Sequence, residues 1–73
     1  MSNFLLSPMP GLLVSVAVKE GDKIEAGQEL AIVEAMKMEN TLVAPKKCTI
    51  KKINYKEGDT LSVDQVIMEF SFK

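Results

Sequence analysis

An internal repeat is the feature that most constrains how this chain folds. Lys19-Glu20-Gly21-Asp22 recurs 37 residues later as Lys56-Glu57-Gly58-Asp59. Sliding residues 1–36 along by 37 positions gives nine identities, at 1, 3, 5, 8, 19, 20, 21, 22 and 28. Four of these are consecutive, which chance seldom produces. Each half is too small to close a core alone. The sequence therefore predicts a single domain, 1–73, whose two pseudo-repeats, about 1–36 and 38–73, pack together.

The repeat also decides between helix and strand in the middle of the chain. Residues 28–44 contain no Gly or Pro and include several good helix formers. The equivalent segment of the second half, QVIMEFSF at 65–72, alternates and is rich in β-branched and aromatic residues, which indicates a strand. Glycine and proline punctuate the rest at intervals that suit strands. We therefore predict an all-β fold with strands near 3–7, 11–18, 23–25, 29–35, 39–43, 47–55, 60–62 and 66–71.

Composition excludes several function classes. Nine lysines against ten acidic residues give a net charge of −1, which argues against a nucleic-acid or anionic-membrane partner. The longest apolar run, near residues 12–18, is too short to insert into a membrane. The chain has no histidine and one cysteine, Cys48, so zinc sites, Cys/His nucleophiles and internal disulfides are excluded. The acidic residues are interpreted as a solvated surface. We expect no catalysis by this chain alone.

The segment Met36-Lys37-Met38 is predicted to be the turn that joins strands 29–35 and 39–43. It contains none of the Gly, Asn, Asp or Pro residues that such turns normally use. A hairpin turn that lacks these preferred turn residues indicates a functional constraint at that position. The turn would hold the primary amine of Lys37 away from the body of the fold, where another enzyme can acylate it.

At this point the sequence resembles a known family. Ala35-Met36-Lys37-Met38 matches the Ala-Met-Lys-Met biotinylation motif of biotinyl domains, the carboxyl carriers of biotin-dependent carboxylases. The segment SPMPG at 7–11 resembles the opening of these domains, and the likeness covers almost the whole chain. It implies a flattened β-barrel, or sandwich, of two four-stranded antiparallel sheets related by a quasi-two-fold axis, with the lysine on a hairpin tip.

The resemblance also implies a cofactor and partners. Biotin would be bound covalently to Lys37, with Ala35, Met36 and Met38 completing the motif that a biotin protein ligase recognises. The arm would carry a carboxyl group from a biotin carboxylase site to a carboxyltransferase site. The carriers most similar in motif are the C-terminal domains of acyl-CoA carboxylase alpha subunits of the propionyl-CoA type. The location would be cytoplasmic in a bacterium and the mitochondrial matrix in a eukaryote.

Other functions stay open on these residues. The same motif fits the carrier of pyruvate carboxylase or of a biotin-dependent decarboxylase. A lipoyl domain shares the fold and the hairpin lysine, but lipoyl hairpins typically read Asp-Lys-Ala. An unmodified β-sandwich that serves only as an interaction module is the alternative from a different class.

Three details are less determined. Cys48 and Asp64 stand where the family and the repeat lead us to expect glycine, so the local turn geometry of the second half is in question. Cys48 itself is interpreted as a small, partly buried apolar residue. Glu34 and Glu39 flank the motif, and the sequence does not decide whether they orient the ligase or are simply solvated.

Overall fold

The computed structural model describes residues 3–72, which form eight strands joined by turns and loops. All eight predicted strands are present, and the all-β prediction is confirmed. Residues 3–72 contain no helix that is long and apolar enough to cross a membrane. The identity between Met1 and Met38, and the outermost residues of both pseudo-repeats, lie outside the described residues. The strands are β1 Phe4–Leu6, β2 Gly11–Val16, β3 Lys23–Ile24, β4 Glu29–Ala35, β5 Met38–Val43, β6 Cys48–Ile53, β7 Thr60–Leu61 and β8 Val66–Ser71.

The strands form two four-stranded antiparallel sheets. The first has the order β1-β8-β6-β3 and the second the order β5-β4-β2-β7. Each sheet therefore takes two strands from each half of the chain, and β1 and β5 each pair with a strand of the opposite half. Neither half can complete a sheet by itself, which is the physical reason that the two halves fold as one body.

The core lies between the two sheets and repeats in both halves. Leu13 and Ile50 occupy equivalent places and are each at most 1% exposed. The same offset of 37 relates further fully buried aliphatic side chains, Ile24 with Leu61 and Leu30 with Ile67. Burial of each such side chain contributes about 1.5–3 kcal/mol. The alternation read from the sequence thus corresponds to an inward row on each strand.

The repeated Lys-Glu-Gly-Asp segments form matching turns. The backbone N–H of Lys19 donates to Asp22 Oδ2 at 3.0 Å, and that of Lys56 donates to Asp59 Oδ2 at 2.9 Å. Gly21 takes a φ of 93°, as the third residue of a type II turn requires. Most residues favour negative φ, so glycine at this position relieves backbone strain.

The glutamates of these segments link the two halves. Glu20 Oε2 accepts a hydrogen bond from the backbone N–H of Ile53 at 3.0 Å, in the second half. Glu57 Oε2 accepts the equivalent bond from Val16 at 2.9 Å, in the first half. Each turn therefore satisfies a strand-end N–H of the opposite half, which explains why Glu, Gly and Asp all recur in the repeat.

We predict that Gly21→Val lowers the free energy of unfolding by about 2 kcal/mol, because a β-branched residue is strained at positive φ. Open space surrounds the position, so strain and not collision is the cause. Lys37→Arg is the control and should leave stability unchanged, since the side chain of Lys37 is exposed. Urea unfolding of both variants measures the difference. Equal midpoints would contradict the role assigned to Gly21.

Candidate functional site

The β4–β5 hairpin ends in a two-residue turn made of Met36 and Lys37. Ala35 is the last residue of β4 and pairs with Met38, the first residue of β5. The predicted three-residue turn is therefore wrong by one residue, because Met38 continues the ladder as a strand residue. Met36 and Lys37 have φ angles of 53° and 64°. Positive φ at both central residues is the mark of a type I′ turn, whose twist matches that of the flanking strands.

The turn stores backbone strain. Residues with a Cβ favour negative φ, and each left-handed residue costs about 1 kcal/mol. Asn-Gly is the usual occupant of such a turn, whereas this chain has Met and Lys. The strain persists because the regular pairing of β4 with β5, from Ile32 opposite Thr41 to Ala35 opposite Met38, fixes the two ends of the turn.

The side chains at the tip point into solvent. Met36 is 91% exposed and Met38 is 66% exposed, and Lys37 between them is exposed as well. Methionine normally packs in a core. An exposed thioether thus lies on each side of an exposed primary amine. The neighbouring Ala35 is buried and marks where the tip meets the body of the fold.

Close packing beneath the tip explains two small residues. A Cβ placed on Gly11 would overlap the carbonyl oxygen of Glu34 and would lie 3.2 Å from Ala35 Cβ. β2 therefore passes so close to the end of β4 that residue 11 has no room for a side chain, and Ala35 is the buried residue beside it. Gly11 ends the opening segment 7–11 and Ala35 begins the motif 35–38, but nothing in the sequence alone shows that they lie side by side.

Asn40, on β5, connects the two strands of the hairpin just below its turn. Its amide Nδ2 donates to the carbonyl oxygen of Val33 at 3.3 Å and to that of Met38 at 3.4 Å. The same nitrogen lies 3.8 Å from the sulfur of Met9. One polar side chain thus connects both strands of the hairpin to the loop before β2. Residue 40 was not among the predicted site residues, although its identity with Asn3 in the repeat was a visible signal.

Two like charges stand directly behind the tip. Glu34 and Glu39 are cross-strand partners, and both are exposed. Like charges directly opposite each other destabilise an antiparallel pair. This pairing, unlike the repeated turns, does not help the fold. The arrangement gives the lysine-bearing edge of the sheet a local negative charge.

The two positions that depart from the expected glycine lie away from the tip. Asp64 has a φ of 65° and takes the place of Gly27, whose φ is 80°, so the turn is kept with an aspartate in the left-handed region. Cys48 begins β6 and is buried, and its burial raises the pKa of the thiol. A raised pKa leaves little reactive thiolate, so Cys48 acts as a packing residue.

Comparison with known proteins gives one family and consistent relatives. The model described as "Biotin-requiring enzyme" matches residues 4–70. The chain is 55% identical over 69 residues to the propionyl-CoA carboxylase alpha chain of Ruegeria pomeroyi, covering 94% of this chain and 10% of the relative. It is 48% identical over 63 residues to the biotin/lipoyl attachment protein of Bacillus subtilis, covering 86% of each.

A solved structure agrees with the fold. A single-chain, multi-domain long-chain acyl-CoA carboxylase superposes with a TM-score of 0.88 at 28% sequence identity, covering 93% of this chain and 7% of that one. The chain thus spans about a tenth of the length of the carboxylase relatives it matches.

We predict that Met36→Asn raises the free energy of unfolding by about 0.5–1 kcal/mol, because Asn adopts positive φ more readily than Met. Met38→Asn is the matched control. That residue is an exposed strand residue in the same motif, so the change should give no gain. Chemical denaturation of both variants provides the measurement. A stabilised Met38→Asn, or an unchanged Met36→Asn, would contradict the strain assigned to the turn.

We predict that Gly11→Ala lowers the free energy of unfolding by about 1–3 kcal/mol, because the added methyl group forces β2 away from β4. Leu12→Ala, at an exposed neighbouring residue, is the control and should change stability less. Urea unfolding gives the stability, and backbone amide chemical shifts of residues 33–38 report movement of the tip. Unmoved shifts with full stability in Gly11→Ala would refute the close approach.

Proposed function

Because the chain belongs to the family of biotin-requiring enzymes, we propose that its biotin is attached to Nζ of Lys37. The chain is a biotin carboxyl carrier domain, a part of a carboxylase that carries the cofactor and does not itself catalyse. We further propose that residues 1–73 form one domain of two pseudo-repeats, 1–36 and 38–73. The observation that supports the assignment of Lys37 most strongly is that its side chain is exposed in a turn with positive φ.

The tip fits a covalent amide between biotin and an amine. Lys37 is exposed, and its two-residue turn is held by the paired strands β4 and β5, one on either side. A biotin protein ligase would supply the vitamin in an activated acyl form. Nζ, after losing a proton to the ligase, attacks the acyl carbon and forms the C–N bond, while the activating group leaves with the bonding electrons. A second proton leaves the nitrogen, so the lysine loses its positive charge.

The residues around Lys37 have separable roles in this proposal. Met36 and Met38 provide apolar contact for the ligase, since both are exposed where packing does not need them. Ala35 keeps the tip close to β2 and so keeps its direction fixed. The mutual repulsion of Glu34 and Glu39 supports a role in recognition by a basic surface of the ligase more than a role in stability.

When bound, biotin supplies a ring nitrogen that accepts a carboxyl group at one site and gives it up at another. The domain contributes tethering, because a group attached to a carrier meets each site at high effective concentration. We propose that these sites are the biotin carboxylase and carboxyltransferase parts of a propionyl-CoA carboxylase, which the identity to that alpha chain supports. The compartment would be the cytoplasm of a bacterium or the mitochondrial matrix of a eukaryote.

We predict that co-expression with a biotin protein ligase gives one biotin per chain, and that Lys37→Arg abolishes this modification, because the guanidinium of Arg is not an acylation substrate. Lys52→Arg, on the opposite sheet, is the matched control and should be modified fully. Intact mass and streptavidin binding measure the outcome. Full biotinylation of Lys37→Arg would refute the assignment, and a mass gain of lipoyl size would favour the lipoyl alternative.

A further inference from the structure

Four lysines lie near the half-buried ring of Phe72, two of them on strands β3 and β6 of the sheet that does not carry the hairpin and two in the loop that precedes β6. We call this surface the basic face and define it as Lys23, Lys46, Lys47 and Lys51 around Phe72. A shallow depression of about 420 Å³ is lined by Lys23, Lys47, Cys48, Thr49 and Phe72. A second depression shares Phe72 and includes Lys51 and Ser71. The ring of Phe72 therefore lies between two depressions, each of which is also lined by lysine.

The scaffold itself does not need these lysines. At an offset of 37, Lys46 corresponds to Met9, Lys47 to Pro10, Lys51 to Val14 and Lys23 to Thr60. All four counterparts are uncharged, and they occupy equivalent places in the other half of the same fold. The positive charge of the basic face is therefore an addition to the fold and not a requirement of it.

The positive charge is not neutralised by the strands around it. Lys23 lies opposite Thr49, and Thr49 lies opposite Ser71, so this cross-strand row is otherwise uncharged. Lys52 is different, because it lies opposite Glu69 and is left out of the basic face for that reason. Asp22 is the nearest acid in sequence, and its carboxylate accepts a hydrogen bond from the backbone of Lys19.

The two sheets differ in charge as a whole. The strands of the hairpin sheet contain three glutamates and no lysine. The strands of the other sheet contain three lysines and one glutamate. A net charge of −1 for the chain thus conceals a separation of charge between the two sheets.

Phe72 adds an apolar element to the basic face. The Nζ of Lys46 lies 4.4 Å from the centre of its ring, and the Phe70 ring lies 5.8 Å away. These contacts hold the ring in place at the surface, with an intermediate exposure. A fixed ring flanked by cations matches a ligand that has an apolar group between negative charges.

We propose that the basic face docks an acidic protein segment that has an apolar side chain between its carboxylates. The apolar side chain would contact Phe72, and the carboxylates would pair with the surrounding lysines. Lys46 and Lys47 follow the far end of β5, whose six residues span about 20 Å from the turn. Docking at this face therefore leaves Lys37 free. The inference does not depend on biotin, although it extends the proposed function if the segment belongs to the carboxylase.

The test is a titration of the ¹⁵N-labelled chain with an amidated pentapeptide of four glutamates around a central leucine. We expect saturable shifts at the amides of Lys23, Lys47, Thr49 and Ser71. Raising the salt from about 0.1 M to about 1 M shortens the Debye length from about 10 Å to about 3 Å and should weaken binding. A peptide with glutamine in place of glutamate should give no saturable shifts.

Two triple variants of equal charge change locate the binding. Lys23→Gln/Lys46→Gln/Lys51→Gln should raise Kd about tenfold, because three of the cations that pair with the peptide carboxylates are removed. The control Lys19→Gln/Lys52→Gln/Lys56→Gln should leave Kd unchanged. Thermal unfolding of both variants checks that the fold is intact. Repeating the titration on Lys37→Arg separates this result from biotinylation.

Three results would overturn the proposal. The first is an absence of saturable shifts, and the second is an equal loss of affinity in both triple variants, which would indicate diffuse attraction. The third is the same pattern of shifts with inorganic phosphate alone, which would indicate a general anion site. None of these results would bear on biotin attachment, because the mass of the chain after co-expression with ligase is measured separately.

Discussion

The structure depends on a reciprocal exchange between two halves that cannot fold alone. β1 pairs with β8 and β5 pairs with β4, so each half completes a sheet of the other. The turn glutamates repeat the exchange at the level of single hydrogen bonds, from Ile53 to Glu20 and from Val16 to Glu57. A chain of this length has little core to spare. Stability therefore requires that both halves order together, and the rigidity of the hairpin follows from that cooperation.

Rigidity matters because the tip is locally unfavourable. Met36 and Lys37 both have positive φ, and Glu34 and Glu39 repel each other behind them. An isolated hairpin of this sequence would relax, since two strands alone are marginally stable. Here β4 is also paired with β2 along its other edge, and Gly11 allows that approach. The scaffold thus offsets backbone strain at the turn that holds the proposed attachment residue, Lys37.

Much of this was predictable from sequence for a specific reason. The repeat allowed one half to be compared with the other. The strand pattern of 65–72 therefore indicated that the equivalent residues 28–35 form a strand and not a helix. The turn at Lys37 followed because it falls at the junction of the halves. The contact between Gly11 and Glu34 was not predictable, since it depends on how closely two strands pass. The same is true of the basic face, whose residues are scattered from Lys23 to Phe72 and are brought together only by the sheet order.

A doubled scaffold separates what the fold requires from what it permits. Where the two halves agree, as in Gly21 with Gly58 and Asp22 with Asp59, the structure shows a turn or hydrogen bond that stability needs. Where they differ in charge, the fold has no preference, because it accepts either residue in equivalent surroundings. The hairpin carries Glu34 and Glu39 close to Lys37, whereas the basic face carries lysines around Phe72. Since folding explains neither difference, both call for a ligand or partner of opposite character, and this reasoning needs only one sequence and its own internal comparison.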